Sequence, residues 1–213
     1  MDRPPNPVKG VLFDMGSVLI RWRDEWIFRR LCRRYGLPYD RVESAILPLR
    51  DQLQGGRISL RTMWGQLAHD LGIPFPRDYR SLWIGMLSEH LEVIPSSVRI
   101  AHQLRNVGYV TGVFSNTDAT HAALFRWHPE LKFLHPWVLS YRIRATKPDP
   151  AAFRAAERTL KMRPEEILLI DDRIRNVAGA RDAGWSAVHY TTAMALRRSL
   201  RPFLAPEDPR TQP

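Results

Sequence analysis

The sequence predicts an α/β fold: a Rossmann-like, mostly parallel sheet with an inserted helical block. Three observations carry this. Short, mostly apolar runs occur at residues 9–13, 109–114 and 167–170, and each is followed by polar residues. Stretches with helical apolar spacing separate the later runs. Between residues 20 and 90 only the helical pattern is present. Strands that are apolar on every residue belong to sheets covered on both faces, and alternating strand and helix signals mark parallel crossovers.

Taken in order, residues 1–7 are proline-rich and read as loose. Residues 9–13 form the first strand; Asp14 follows it, and Gly16 and Ser17 turn the chain away. Residues 24–35 read as a helix with Trp26, Ile27, Leu31 and Tyr35 on one side, stopped at Gly36. Residues 39–50 read as a second helix, distorted at Pro48, because proline lacks the N–H that an interior helical turn needs. Gly55-Gly56 is a turn. Residues 59–71 place Met63, Trp64, Leu67 and Leu71 at core spacing, and residues 79–89 form a shorter helix.

The pattern then changes. A helix over 96–106 ends near Gly108, and a strand over 109–114 runs into Ser115-Asn116-Thr117. A helix over 118–127 is capped by Thr117 or Asp118. A short strand covers 137–139. Lys147-Pro148-Asp149-Pro150 leads into a helix over 149–160. The strand over 167–170 ends in Asp171-Asp172; a helix over 174–183 stops at Gly184; the last strand covers 187–190. Residues 191–200 form a short helix, and the proline-rich end reads as loose. The expected division is a core of residues 1–19 and 91–213 with a helical cap over 20–90.

Composition narrows the class. At 213 residues and 44% hydrophobic content the chain can bury a sizeable core. No apolar stretch is long enough to span a bilayer. The opening Met1-Asp2-Arg3-Pro4-Pro5 lacks the apolar segment of a secretory signal, and Cys32 is alone, so the expectation is a cytoplasmic protein without disulfides. The formal charge of +10 comes mainly from arginine and favours an anionic partner. The densest group, Arg29, Arg30, Arg33 and Arg34, reads as a solvated helix surface. With no nucleic-acid-binding signature, no nucleic-acid partner is expected, and no membrane.

In parallel sheets ligands bind at the carboxyl ends of the strands. Asp14, Ser115 with Asn116, and Asp171 with Asp172 all fall at such ends, and Lys147 lies in a loop beside them. A buried, unpaired Asp14 is costly, so it needs company. Asp14 and Asp172 could share a hard divalent cation, for which all-oxygen ligands suit magnesium. A carboxylate can attack phosphorus and form an aspartyl-phosphate. Lys147, the Ser115 hydroxyl and backbone N–H groups around Met15 and Asn116 would then cradle the phosphoryl oxygens.

These residues carry a family resemblance. Val11-Leu12-Phe13-Asp14-Met15-Gly16-Ser17-Val18-Leu19, Val113-Phe114-Ser115-Asn116-Thr117, Lys147-Pro148-Asp149-Pro150 and Ile167-Leu168-Leu169-Ile170-Asp171-Asp172 resemble, in order, the four motifs of the haloacid dehalogenase-like (HAD) hydrolases. The helical block resembles the small cap of one branch. The resemblance implies a magnesium-dependent phosphatase acting on a small-molecule phosphate ester. Asp14 would be nucleophile and metal ligand, and Asp172 the second metal carboxylate. Gly16 would offer its carbonyl to the metal. Ser115 and Lys147 would hold the phosphoryl group, Asp171 would support Lys147 or a metal-bound water, and Asn116 would shape the loop under the cap.

One departure matters. Most such phosphatases carry a second Asp two residues after the nucleophile, as metal-binding carbonyl and general acid. This chain has Gly16. Loss of a general acid costs roughly 10²–10⁴-fold unless the leaving group is good. A sugar-1-phosphate phosphatase-like subgroup is similar in having a small residue there. The alternative is a weakened or inactive interaction protein; haloacid dehalogenation and phosphomutase chemistry are lesser options. Arg144 also stands where relatives often have Gly. Trp22 and Arg23, at the cap entry, are candidate substrate contacts, with packing and exposure as their plain readings. Trp64, Trp83 and Met86 read as core. His121 is the best placed of the histidines, His90 among the separate ones; His189 could face the cleft, and Arg173 could line its rim.

Overall fold

Five parallel strands, in the order β5-β4-β1-β6-β7, form the sheet of a computed structural model that describes residues 7–89, 92–126 and 128–204. They are β1 (Gly10–Phe13), β4 (Val110–Ser115), β5 (Trp137–Leu139), β6 (Ile167–Asp171) and β7 (Ser186–His189). A separate antiparallel pair joins β2 (Ile20–Arg21) to β3 (Glu92–Val93). The expected loose ends at residues 1–6 and 205–213, and His90 and Trp127, lie outside the described residues.

Both sheet faces are buried, which is why the strands read as continuous apolar runs. Val11, Phe13, Val113, Leu168 and Ile170 face one side, packed by α5 (Pro95–Asn106), α6 (Ala119–Arg126) and α10 (Ala193–Ser199). Leu12, Phe114, Ile167 and Leu169 face the other, packed by α8 (Pro150–Leu160) and α9 (Ile174–Asp182). Alternate residues of a strand point to opposite faces, so each cluster takes every second position.

Between β2 and β3 lie α1 (Glu25–Tyr35), α2 (Tyr39–Gln54), α3 (Leu60–Leu71) and α4 (Tyr79–Ser88). They bury a cluster of their own, including Phe28, Ile46, Trp64, Trp83 and Met86. The Trp64 and Trp83 rings meet edge to face at 6.4 Å, a pairing that adds about 0.5–1.5 kcal/mol beyond area burial. Three local expectations change. The second helix runs unbroken through Pro48 to Gln54, held by a buried stripe of Val42, Ile46, Leu49 and Leu53 that spans the proline. In the first helix Phe28, not Trp26, joins Ile27 and Leu31 in the core. A one-turn helix, α7 (Ser140–Ile143), follows β5 and ends with Arg144 in the left-handed region at φ 54°, a conformation that favours glycine.

The insertion and the sheet touch at defined points. The Ser140 hydroxyl lies 2.7 Å from the Gln54 carbonyl at the end of α2. Asp24, at the start of α1, pairs with Arg173 beyond β6 at 3.6 Å. No described helix is long and apolar enough to cross a membrane.

Candidate active site

The register of the sheet assembles the site. Phe13 is level with Val113 on one side and Ile170 on the other. One step further along the strands come Phe114, Asp14 and Asp171. One step beyond that come Ser115, Met15 and Asp172. Three segments far apart in sequence thus end in two polar layers at one sheet edge.

Lys147 fills the first layer. Its side chain is fully buried, and Nζ donates to Asp14 Oδ1 at 3.0 Å, to Asp171 Oδ2 at 2.6 Å and to the Phe114 carbonyl. All three donors of the ammonium are therefore used. Asn116 holds the lysine from behind: its amide accepts from Lys147 N–H and donates to Lys147 C=O, both at 2.8 Å. Gly179 of α9 completes the support; a Cβ there would fall 2.8 Å from Pro148 Cβ, so only glycine lets the helix approach this loop.

Asp171 is saturated. Besides Lys147 it accepts from Arg173 N–H at 2.9 Å and from the Asn176 side-chain amide at 3.0 and 3.1 Å. Asp14 and Asp172 are less engaged. Burial, set against the Lys147 ammonium and reinforced by Asp171 and Asp172, pushes the Asp14 carboxyl up to about 6. Burial, then repulsion from Asp171, also raises Asp172. Oxygen atoms of Asp14, Asp171 and Asp172 lie within 4.8 Å of one another. Three carboxylates around one ammonium leave an excess of negative charge in a buried place. An all-oxygen set with that excess fits a divalent cation such as magnesium.

Asp14 opens into a cavity of about 60 Å³ whose wall includes Met15, Gly16, Ser115, Asn116 and Asp172, and whose roof comes from α1, α2 and α4. Met15 itself packs into the core, and its carbonyl accepts from Leu19 and Ile20 N–H. A Cβ on Gly16 would lie 3.6 Å from Trp22 Cδ1, so the Trp22 ring covers the space a longer side chain would enter. Arg173 lines the cavity, as expected. His189 is exposed and meets the Asp172 carbonyl at 2.9 Å, with no part in the cavity wall.

Arg23 is a correction. It is exposed and lines a separate groove with Arg21 and Trp26. Trp22 lines both the cavity and that groove, while Arg21 and Arg23 line the groove alone. Besides Arg173, the cavity is lined by a cap arginine, Arg50 of α2. Sequence reading passed over it, although it lies four residues from Ile46 and three from Leu53 on the buried stripe, where a charge is out of place. Asp24 and Asp118 were missed as well. Asp24 Oδ2 pairs with Arg50 at 2.5 Å and its Oδ1 accepts from the Trp22 indole at 3.1 Å. Its pKa is lowered: burial opposes the charge, and the two arginines and the indole outweigh it. Asp118 caps α6, accepting from Thr120 and His121 N–H, and burial raises its pKa. His121 is buried between the Trp22 and Phe125 rings, and burial lowers its pKa to about 3, which keeps it neutral.

A family model described as a haloacid dehalogenase-like hydrolase matches residues 8–184. A glyceraldehyde 3-phosphate phosphatase of Methanopyrus kandleri is 29% identical over 116 residues, covering 52% of this chain and 46% of that protein. The chain spans about half the length of the curated relatives it matches. Among solved structures, a predicted HAD-like family hydrolase of Porphyromonas gingivalis superposes with TM-score 0.76 at 25% identity, covering 91% of this chain and 98% of that one. A HAD family enzyme of Bacteroides thetaiotaomicron in complex with magnesium and inorganic phosphate superposes with TM-score 0.72 at 22% identity, covering 86% and 94%.

Proposed function

The chain belongs to the haloacid dehalogenase-like hydrolases, and on that premise we propose that it is a magnesium-dependent phosphomonoester hydrolase acting on a small phosphorylated metabolite. The single observation that carries the proposal is the shared Lys147 ammonium, which binds Asp14 and Asp171 with Asp172 beside them at the edge of the sheet. In this reading Asp14 and Asp172, with the Gly16 carbonyl, hold magnesium. The magnesium and phosphate in the Bacteroides enzyme and the phosphatase activity of the archaeal relatives are consistent with it. When bound, the ion neutralises phosphoryl oxygens and lets two carboxylates stand close to an anionic substrate.

Lys147 holds Asp14 Oδ1, which leaves Oδ2 for attack. A bond forms from Oδ2 to phosphorus as the ester oxygen–phosphorus bond breaks, giving an acyl phosphate on Asp14 and an alcohol after proton uptake. Water then attacks the phosphorus, releases inorganic phosphate and restores the carboxylate. The Ser115 hydroxyl, the backbone around Met15 and Asn116, and Lys147 cradle the phosphoryl oxygens. Asp171 positions Lys147. Residues 20–90 act as the cap, with residues 1–19 and 91–213 as the catalytic core. Gly16 supplies no proton, so a leaving group that departs easily, as from a sugar phosphate, suits this site. The partner is the small phosphate ester itself, and the lone Cys32 fits a reducing, cytoplasmic setting.

A non-catalytic role would not require the intact floor of Asp14, Lys147, Asp171 and Asp172, and dehalogenases of this family usually carry small polar residues in place of the two carboxylates at the end of β6. The test is phosphate release from a panel of phosphate esters with and without magnesium. Magnesium-dependent turnover, lost in Asp14→Asn, supports the proposal; no turnover by folded, magnesium-binding protein overturns it.

A further inference from the structure

Besides Trp83 Nε1 and Asn176 Oδ1, and apart from Arg50 Nη1 with its ion pair to Asp24, two buried nitrogen atoms of residues on the cavity wall have no hydrogen-bond partner: Nε of Arg50 and Nε2 of His121. A buried polar atom left unpaired costs about 1–3 kcal/mol, so each such atom in a native fold calls for an explanation. These two share one. Both side chains line the cavity that holds Asp14, and neither belongs to the set that cradles the phosphoryl group.

Their surroundings define what would satisfy them. Arg50 spends Nη1 on Asp24 and Nη2 on Asp51, at 2.5 and 3.5 Å. Asp24 also meets Arg173. The guanidinium charge is therefore already balanced, and Nε–H remains as a donor seeking an oxygen rather than a counter-charge. His121 is uncharged where it sits, with its ring held against Trp22 at 4.5 Å. The Trp22 ring supplies an apolar face on the same cavity wall, against the His121 ring. A cavity of about 60 Å³ leaves little room beyond a small group. Convergent polar groups beside an aromatic face are what a small polyhydroxylated ligand needs.

We infer that Arg50 and His121 form a leaving-group subsite that hydrogen-bonds hydroxyl or carbonyl oxygens of a small, uncharged, polyhydroxylated alcohol moiety, and so select such phosphate esters over apolar ones. This rests on the phosphatase reading and names its substrate class. Arg50 and His121 are specificity-determining residues in this scheme, since they touch the departing alcohol and not the reacting phosphorus.

The test compares the full chain with magnesium on polyol and small sugar phosphates against alkyl phosphates of matching length and phenyl phosphate. The wild type is expected to favour the hydroxylated esters over the matched alkyl esters by roughly 10²-fold in kcat/KM. Arg50→Lys keeps a cation for Asp24 but removes Nε–H; it lowers that preference about 10-fold or more, chiefly through KM. His121→Phe keeps the ring packing and removes both nitrogen atoms. It lowers the preference similarly while leaving the melting temperature unchanged or raised, because an unpaired buried polar atom has gone. A merely structural histidine would lose stability and keep its selectivity. Equal turnover of hydroxylated and alkyl esters, or an unchanged preference in both variants, overturns the subsite and leaves the phosphatase reading standing. Absence of phosphate release from every ester overturns both.

Discussion

The floor and the roof of the cavity differ in how their charged groups are paired, although Asn176 Oδ1 on the floor is also without a partner. On the floor each ammonium proton of Lys147 has an acceptor, and Asp171 receives from Lys147, Asn176 and the Arg173 backbone. On the roof and side wall, Arg50 Nε and His121 Nε2 are buried with nothing to bind. A saturated network is rigid, which suits groups that must be in place before chemistry begins. An unsaturated one costs stability until a ligand completes it. On the proposed function the floor serves the reaction and the roof the choice of substrate.

The largest expected break lies on the floor. Asp14→Asn keeps the shape and removes the nucleophile; turnover should fall by roughly 10⁴-fold or more, measured as phosphate release under saturating magnesium. Next comes the support behind the lysine. Asn116→Ala deletes both bonds to the Lys147 backbone and should cost on the order of 10²-fold in kcat, with a smaller change in KM, because misplacement of a catalytic group near 1 Å has that effect.

The side wall should announce itself in stability as well as in selectivity. His121 has a folded pKa lowered from 6.5 to about 3. Below 6.5 the unfolded chain binds a proton that the folded chain refuses. The stabilising effect is therefore full above pH 6.5 and declines as pH falls toward 3. Between pH 7 and 5 the loss through this group is about 2 kcal/mol. Denaturant melts across that range should show the decline, and His121→Phe should flatten it; an equal slope in the variant would remove His121 as its source.

The smallest effect concerns the loop that delivers Lys147. Arg144 occupies left-handed backbone at φ 54°. Arg144→Gly should raise stability by up to about 1 kcal/mol, by thermal melting, with the Lys147 contacts kept.

How legible each region was follows from the same division. Asp14, Ser115, Lys147, Asp171 and Asp172 could be read because strand ends in a parallel sheet must meet at one edge, and the register leaves little freedom. Gly16 could be read as a missing acid from its place two residues past Asp14. Arg50 could not be placed, because its direction depends on how α2 sits on the sheet and on a helix that continues past Pro48. Adjacent in sequence at the cap entry, Trp22 and Arg23 differ in place: Trp22 lines the cavity and Arg23 only the outer groove. The charge on a lone arginine within an apolar stripe was the available signal, and Arg50 shows how to weigh it.

The central claim is that Asp14 takes the phosphoryl group. The most direct measurement is rapid acid quench of the magnesium-loaded enzyme during turnover of a hydrolysed ester, followed by peptide mass analysis with hydroxylamine treatment. A phosphoryl adduct on the peptide bearing Asp14, labile to hydroxylamine and missing in Asp14→Asn, is the predicted result. Turnover that persists in Asp14→Asn, with no adduct on that peptide in either protein, would contradict it.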